Sequence, residues 1–195
     1  MIEQDYLDDC LLQLRKLKEL ADKAVRQIEH EQLFTVLDPE ANSIALLMKH
    51  MAGNMRSRWT AFLTTDGEKP DRDRDQEFIV DADDTHATIL ATWEEGWGRL
   101  FEAVSSLTPQ DLAKTVRVRG EIHTVVGAIN RQMTHYAAHV GQIVLLAKHY
   151  AGSSWQSLSI PRGKSKDFDV SRSGHAYGIA QRSKREDGAT ERRPL

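Results

Sequence analysis

Of the eight histidines in this 195-residue chain, the pair whose spacing suggests chemistry is His135 and His139, in the run Thr-His-Tyr-Ala-Ala-His. Four positions along an α-helix turn the chain by 400°, so the two imidazoles sit about 40° apart on one face and roughly 6 Å apart along the axis. Two neutral imidazoles so placed can reach one metal ion. The spacing alone is a common chance pattern, and the surrounding residues sharpen it. On a helical wheel, Ala128, Gln132, Ile143, Val125, Tyr136, Ile129, Val140 and Met133 follow the pair around one apolar arc, while Thr134 and His123 fall on the opposite side. A buried histidine needs partners for both ring nitrogens, and two of them side by side on an inner face are hard to satisfy without a shared ion.

A third ligand has to come from another segment. His50, between Leu47 and Met51 at the border of an apolar stripe, is the best placed, and His86 is the reserve. His30 and His149 fall too far along their segments to join. Asn54, Arg58, Gln132 and Gln142 are candidates for contacts to the ligands or to a substrate.

Several sharper chemistries are excluded. The residue after His135 is Tyr136, so the glutamate base of a His-Glu-x-x-His metalloprotease is missing. Gln132 and Tyr136 stand where a di-iron bundle has the glutamates of its Glu-x-x-His pairs. Asp71, Asp73 and Asp75 imitate a calcium loop, but Gln76 occupies the position of the turning glycine and Ala82 that of the bidentate glutamate. They read as solvated charges, as do Arg162 and Lys164. The single cysteine, Cys10, allows no internal disulfide and no thiolate cage, and it lies in an apolar stripe as a small core residue.

The elements that must position the histidines follow from hydrophobic period. Leu7, Cys10, Leu11, Leu14, Leu17, Ala21, Ala24, Val25 and Ile28 recur at steps of three and four, which predicts a helix over residues 5–31. Ile44, Leu47, Met48, Met51, Met55, Trp59 and Phe62 predict a second to about 63, capped by Asn42 or Ser43. Leu90, Trp93, Trp97, Leu100, Phe101 and Val104 mark a third, capped by Asp83 or Asp84, in which Gly96 and Gly98 each cost about 1 kcal/mol relative to alanine. A fourth runs over residues 121–150, after a short extended piece at 116–119. Four long helices with no convincing strand pattern predict an all-α four-helix bundle.

Between helices two and three, residues 66–84 hold nine acids against three bases, a long acidic connection that could cross the bundle. Residues 172–195, with six bases, three acids and few large apolar groups, read as a disordered basic tail beyond a domain spanning 1–171. Without that tail the chain has 20 basic and 26 acidic residues, a sign that repels phosphate backbones and argues against nucleic acid as a partner. No run is long and apolar enough for a membrane span, and no signal peptide is visible, so a cytoplasmic protein is expected.

The order of these residues resembles a known family. Asn42-Ser-Ile-Ala-Leu-Leu-Met-Lys-His50 followed by Met-Ala-Gly-Asn54-Met-Arg-Ser-Arg-Trp59 resembles the second helix of the DinB/YfiT-like metalloenzyme superfamily, and more narrowly a bacterial subgroup of unknown function. Asp66-Gly-Glu-Lys-Pro70, Arg74-Asp-Gln-Glu-Phe78, Arg119-Gly-Glu121, Asn130-Arg-Gln132, His135-Tyr-Ala-Ala-His139-Val-Gly-Gln142 and Leu158-Ser-Ile-Pro-Arg-Gly163 are similar as well, over about residues 5–168. Asp71 stands where that subgroup has an aromatic residue. The resemblance implies a homodimeric four-helix bundle with one divalent ion on His50, His135 and His139, and a small-molecule substrate, with thiol S-transfer or thiol-assisted isomerisation as the chemistry of better-understood relatives.

Three imidazole ligands leave a coordination position open, the arrangement of a catalytic site. The chain has no evident nucleophile of its own, so a metal-bound water or thiol is expected to attack. The expected activity is that of a divalent-metal-dependent transferase or hydrolase, with zinc the first choice and nickel, iron or manganese open. The alternative is a non-catalytic metal-binding or stress-associated dimeric bundle.

Overall fold

The computed structural model describes residues 2–167, so the expected tail at 172–195 lies outside the described residues. Two units are distinguished, Met1–Gln156 and Ser157–Leu195. Within the described part of the second, Pro161 accepts from the Lys164 amide, Gly163 has φ +78°, and Lys164 pairs with Asp167 at 3.3 Å. Arg162 and Lys164 are exposed, as solvated loop charges should be.

The first unit is mostly helical, with four long helices and one small sheet. Helix α1 spans Ile2–Val25, α2 Ile44–Trp59, α3 His86–Ser105 and α4 Val125–Ala151. Each packs mainly on two others: α2 on α3 and α4, and α1 on α4 and α3. The apolar stripes meet in one core that includes Leu7, Cys10 and Leu14 of α1, Met48, Met51 and Met55 of α2, Trp93 and Trp97 of α3, and Tyr136, Val140 and Ile143 of α4. No helix among the described residues is long and apolar enough to cross a membrane.

The boundaries differ from the periodicity reading for local reasons. Helix α1 ends at Val25 rather than 31: the Gln27 and Ile28 amides tighten to i→i−3 bonds, and a separate 3₁₀ turn, His30–Leu33, starts at a capping box between Glu29 and Gln32. Helix α2 is capped by Ser43, whose side chain accepts from the Leu46 amide, and stops at Trp59 because Ala61 turns left-handed, at φ +49°. Helix α3 is capped by Thr85, not Asp83 or Asp84, through a reciprocal box with Thr88. Asp84 is otherwise engaged, binding Lys49 at 2.7 Å and the Asp81 amide at 2.8 Å.

The fourth helix does not begin at 121. Glu121–Thr124 is a strand, β2, paired antiparallel with β1, Thr115–Val118, and α4 starts only after Thr124 caps it through the Gly127 amide. The connecting residues Arg119 and Gly120 have φ +55° and +79°, as a two-residue type I′ hairpin turn needs. Asp66 accepts from both their amides, at 2.8 and 2.7 Å, which ties the acidic connection to the hairpin. His123, placed on the back of a helix by the sequence reading, is on β2 instead, with Nε2 buried and without a hydrogen-bond partner.

The acidic connection runs along α2. Lys49 holds its far end through the Ile79 carbonyl, Asp81 and Asp84. At the near end, Ser57 donates to the Gly67 carbonyl at 2.8 Å, and Arg58 donates to that carbonyl and to Glu68. Asp71, Asp73 and Asp75 are exposed, and Asp73 accepts from the Asp75 and Gln76 amides to open the 3₁₀ turn Gln76–Phe78.

The two glycines of α3 have opposite roles. A Cβ on Gly96 would lie 2.9 Å from the Ala52 Cα of α2, so the missing side chain sets the distance between the two helices, whereas a Cβ on Gly98 would meet nothing within 4 Å. Gly98→Ala is expected to stabilise the protein by about 1 kcal/mol. Gly96→Ala should destabilise it by about 1–3 kcal/mol through overpacking. Urea denaturation of the two variants checks this, and a stabilised Gly96→Ala would contradict the close approach.

Candidate metal centre

Helix α2 supplies His50, and α4 supplies His135 and His139 one turn apart. His50 is 4% exposed and the other two are half-buried, at the border of the α4 face that meets the core rather than in its middle. One ligand atom from each of the three lies within 4.8 Å of the others. The His50 and His135 Nε2 atoms are 3.3 Å apart, and those of His139 and His135 are 3.0 Å apart. Two nitrogens each about 2.0–2.1 Å from a tetrahedral zinc ion are separated by roughly 3.3–3.4 Å. The three histidines are therefore close enough to hold one metal ion.

The outer ring nitrogens fix which lone pairs face the centre. His50 Nδ1 lies 2.9 Å from Glu77 Oε2, and Glu77 also receives a two-pronged contact from Arg72, with both bonds at 2.8 Å. Burial would raise the Glu77 carboxyl, but the hydrogen bonds from His50 and Arg72 and the Arg72 charge outweigh it and hold the group below the usual glutamate range. An ionised carboxylate only accepts, so the hydrogen of this bond is on His50 Nδ1, and Nε2 is the nitrogen that faces the other two rings. His139 Nδ1 likewise donates to Gln142 Oε1 at 3.2 Å, which leaves its Nε2 lone pair facing inward. His135 Nε2 can offer at most one hydrogen to the two ring nitrogens that face it.

Burial, then the neighbouring His139 and His50 and the charges of Arg72 and Arg131, push His135 down to about 4. Burial and His50 also lower His139, against the opposing hydrogen bond to Gln142. At neutral pH these two rings are uncharged, the form in which imidazole binds a metal.

The other residues singled out from the sequence divide. Gln142 orients His139. Asn54 accepts from the Tyr136 hydroxyl at 2.9 Å, and that hydroxyl accepts from Trp59 Nε1 at 3.0 Å, so Asn54 anchors α4 to α2 beside the site. Arg58 is engaged with Gly67 and Glu68 but keeps a buried Nε without a partner, and Gln132 is buried with Oε1 unpartnered. His86, the reserve ligand, stacks on His30 with ring centroids 3.7 Å apart and takes no part in the cluster.

The sequence reading missed Glu77, Arg72 and Phe78, which sits 4.7 Å from the His50 ring. Two signals were available: the stretch Arg74-Asp-Gln-Glu-Phe78, which is among those resembling the family, and Phe78-Ile79-Val80, the only cluster of large apolar residues in the acidic connection.

Fold and site together define a mostly helical protein with a buried-edge cluster of three imidazoles, each of the outer two held by a hydrogen bond behind it. The chain belongs to a family described as a protein of unknown function, DUF1572, whose model matches residues 1–164. No curated protein matches it.

Proposed function

We propose that the chain is a divalent-metal-dependent enzyme acting on a small molecule, as a thiol S-transferase or a hydrolase, built as a four-helix bundle of the DinB/YfiT-like kind. The observation that carries the reading is the convergence of His50, His135 and His139 with Glu77 and Gln142 behind two of them. Hydrogen-bonded outer nitrogens are the usual support of metal-ligating histidines, because they fix the tautomer and raise ligand basicity. The donor set suits zinc first, with nickel, iron or manganese also compatible. A divalent ion there supplies a Lewis acid that lowers the pKa of a bound water to about 7 and deprotonates a bound thiol.

The chain's own residues do the rest. Glu77 and Gln142 hold two ligand rings, and Arg72 locks Glu77. Tyr136, Trp59 and Asn54 fix the spacing of α2 and α4, from which the ligands come. The half-burial of His135 and His139 leaves the centre open on one side to a small molecule. A cytoplasmic homodimer is part of the same proposal, supported by the single buried Cys10 and by the family resemblance of residues 5–168.

The test begins with metal analysis of protein purified without a histidine tag, where about one divalent ion per chain is expected. Metal-loaded protein is then given monochlorobimane with a panel of cellular thiols and, separately, small esters and amides. Acceleration with a thiol identifies the transferase, and ester or amide cleavage the hydrolase. A bound ion with neither activity would favour the non-catalytic metal-binding bundle, and no bound ion would overturn the metal centre.

A further inference from the structure

Beside the histidines lies a cleft of about 200 Å³, lined by His50 and His135, by Asn54 and Gln132, and by five arginines. That is many times the roughly 10–15 Å³ that one water needs on the same measure, room for a small-molecule group. Five guanidinium groups in one small cleft are notable in a chain whose net charge is −3.

Three of the arginines are paired with carboxylates. Arg58 binds Glu68 at 2.8 Å, Arg72 binds Glu77, and the more exposed Arg119 reaches Glu68 at 3.2 Å. Arg74 and Arg131 have no carboxylate partner among the described residues. Arg74 lies over the Phe78 ring, 5.0 Å from its centroid, and Phe78 in turn lies against His50. Arg131 is one helical turn before His135 on the same side of α4. Two unpaired cations thus flank the ligand histidines from two different segments. Arg58 Nε and Gln132 Oε1 are buried without hydrogen-bond partners, as is His123 Nε2, and all three residues line a separate, nearly closed cavity of about 10 Å³ rather than opening these atoms to the cleft.

We propose that this cleft is the subsite for an anionic small molecule, whose carboxylate or phosphate oxygens are held by Arg74 and Arg131. The anion end then fixes the molecule so that its other end reaches the three histidines. Planar guanidinium groups bind carboxylate and phosphate oxygens through paired, charge-assisted hydrogen bonds, which gives orientation as well as affinity. The inference deepens the metalloenzyme reading and rests on it for the reacting end of the substrate, while the anion contact itself needs no ion.

The test uses the full chain stripped of metal with a chelator, at low ionic strength, titrated calorimetrically with succinate, with inorganic phosphate and with uncharged succinamide. One site per chain is expected for succinate or phosphate and none for succinamide, with affinity falling as salt is added; the preferred anion assigns the ligand class. The double variant R74Q/R131Q should bind that anion about tenfold more weakly or worse, while its cobalt titration stays like the parent's. The variant H139A, used without metal, should keep anion binding even though it loses cobalt, because His139 is in the histidine cluster but does not line the cleft. Failure of cobalt binding with anion binding intact would overturn the metal reading alone. No anion binding at millimolar concentration, equal binding of succinamide, or unchanged affinity in R74Q/R131Q would overturn the subsite.

Discussion

His50→Ala is expected to leave the protein folded and unable to hold the proposed divalent ion. Structural zinc binding in small sites amounts to about 10–16 kcal/mol, so each of three or four ligands carries roughly 3–5 kcal/mol, two to four decades in Kd. His50 has the deepest burial of the three ligands and the strongest support, with Nδ1 on Glu77 and its ring against Phe78. Among the described residues no other histidine joins the cluster: the other two members come from α4 and the reserve His86 is engaged with His30. The fold should survive: without His50, Glu77 keeps both contacts to Arg72, so no buried charge loses its partner. The measurement is metal content of the untagged variant beside a cobalt titration, with His86→Ala as the control that should bind like the parent. Full occupancy in His50→Ala would remove α2 from the centre, and with it the proposed activity.

That site was readable in part because helical period is a strong signal. Positions 135 and 139 share a face in any helix, and the wheel places them within the apolar arc, whose border they occupy in the structure. His50 was reached from its place at the border of the α2 stripe. Of the hairpin only β1 was readable, as the short extended piece at 116–119. β1 alternates, with Val116 and Val118 buried, but all of β2 is exposed or half-buried, so Glu121–Thr124 had no alternation to set it apart from the helix that follows. The acidic connection hid its content for another reason. Its charges have no period, and what makes Glu77 different is a contact 27 positions away on α2, a long-range relation that local pattern cannot carry. Arg74 and Arg131 escaped for the same reason, since the cleft exists only once the connection folds along α2. Asp71, Asp73 and Asp75, read as solvated, are exposed as expected, and in the same run Arg72 and Glu77 are among the most buried charges of the protein.

Glu77→Ala should therefore be the most damaging single change outside the ligands themselves, and in two separable ways. Glu77 is 7% exposed and the Arg72 side chain 3%, so the pair is a buried ion pair joined by two bonds. Removing one partner leaves the other charge buried, which typically costs about 3–5 kcal/mol. Arg72 retains only Glu68, at 3.4 Å, so the loss should fall in that range and appear as a large drop in the urea midpoint even without metal. The same truncation leaves His50 Nδ1 without an acceptor, so the ring loses its fixed tautomer. Loss of such a supporting contact costs metal affinity about 10–100-fold. Gly53→Ala separates the two effects. A Cβ there would lie 2.7 Å from the Glu77 Cδ, so the added methyl group displaces the carboxylate while its charge and Arg72 both remain. Gly53→Ala should accordingly weaken cobalt binding while costing less stability than Glu77→Ala. If Glu77→Ala binds cobalt as tightly as the parent, Glu77 serves the fold alone and does not orient a ligand.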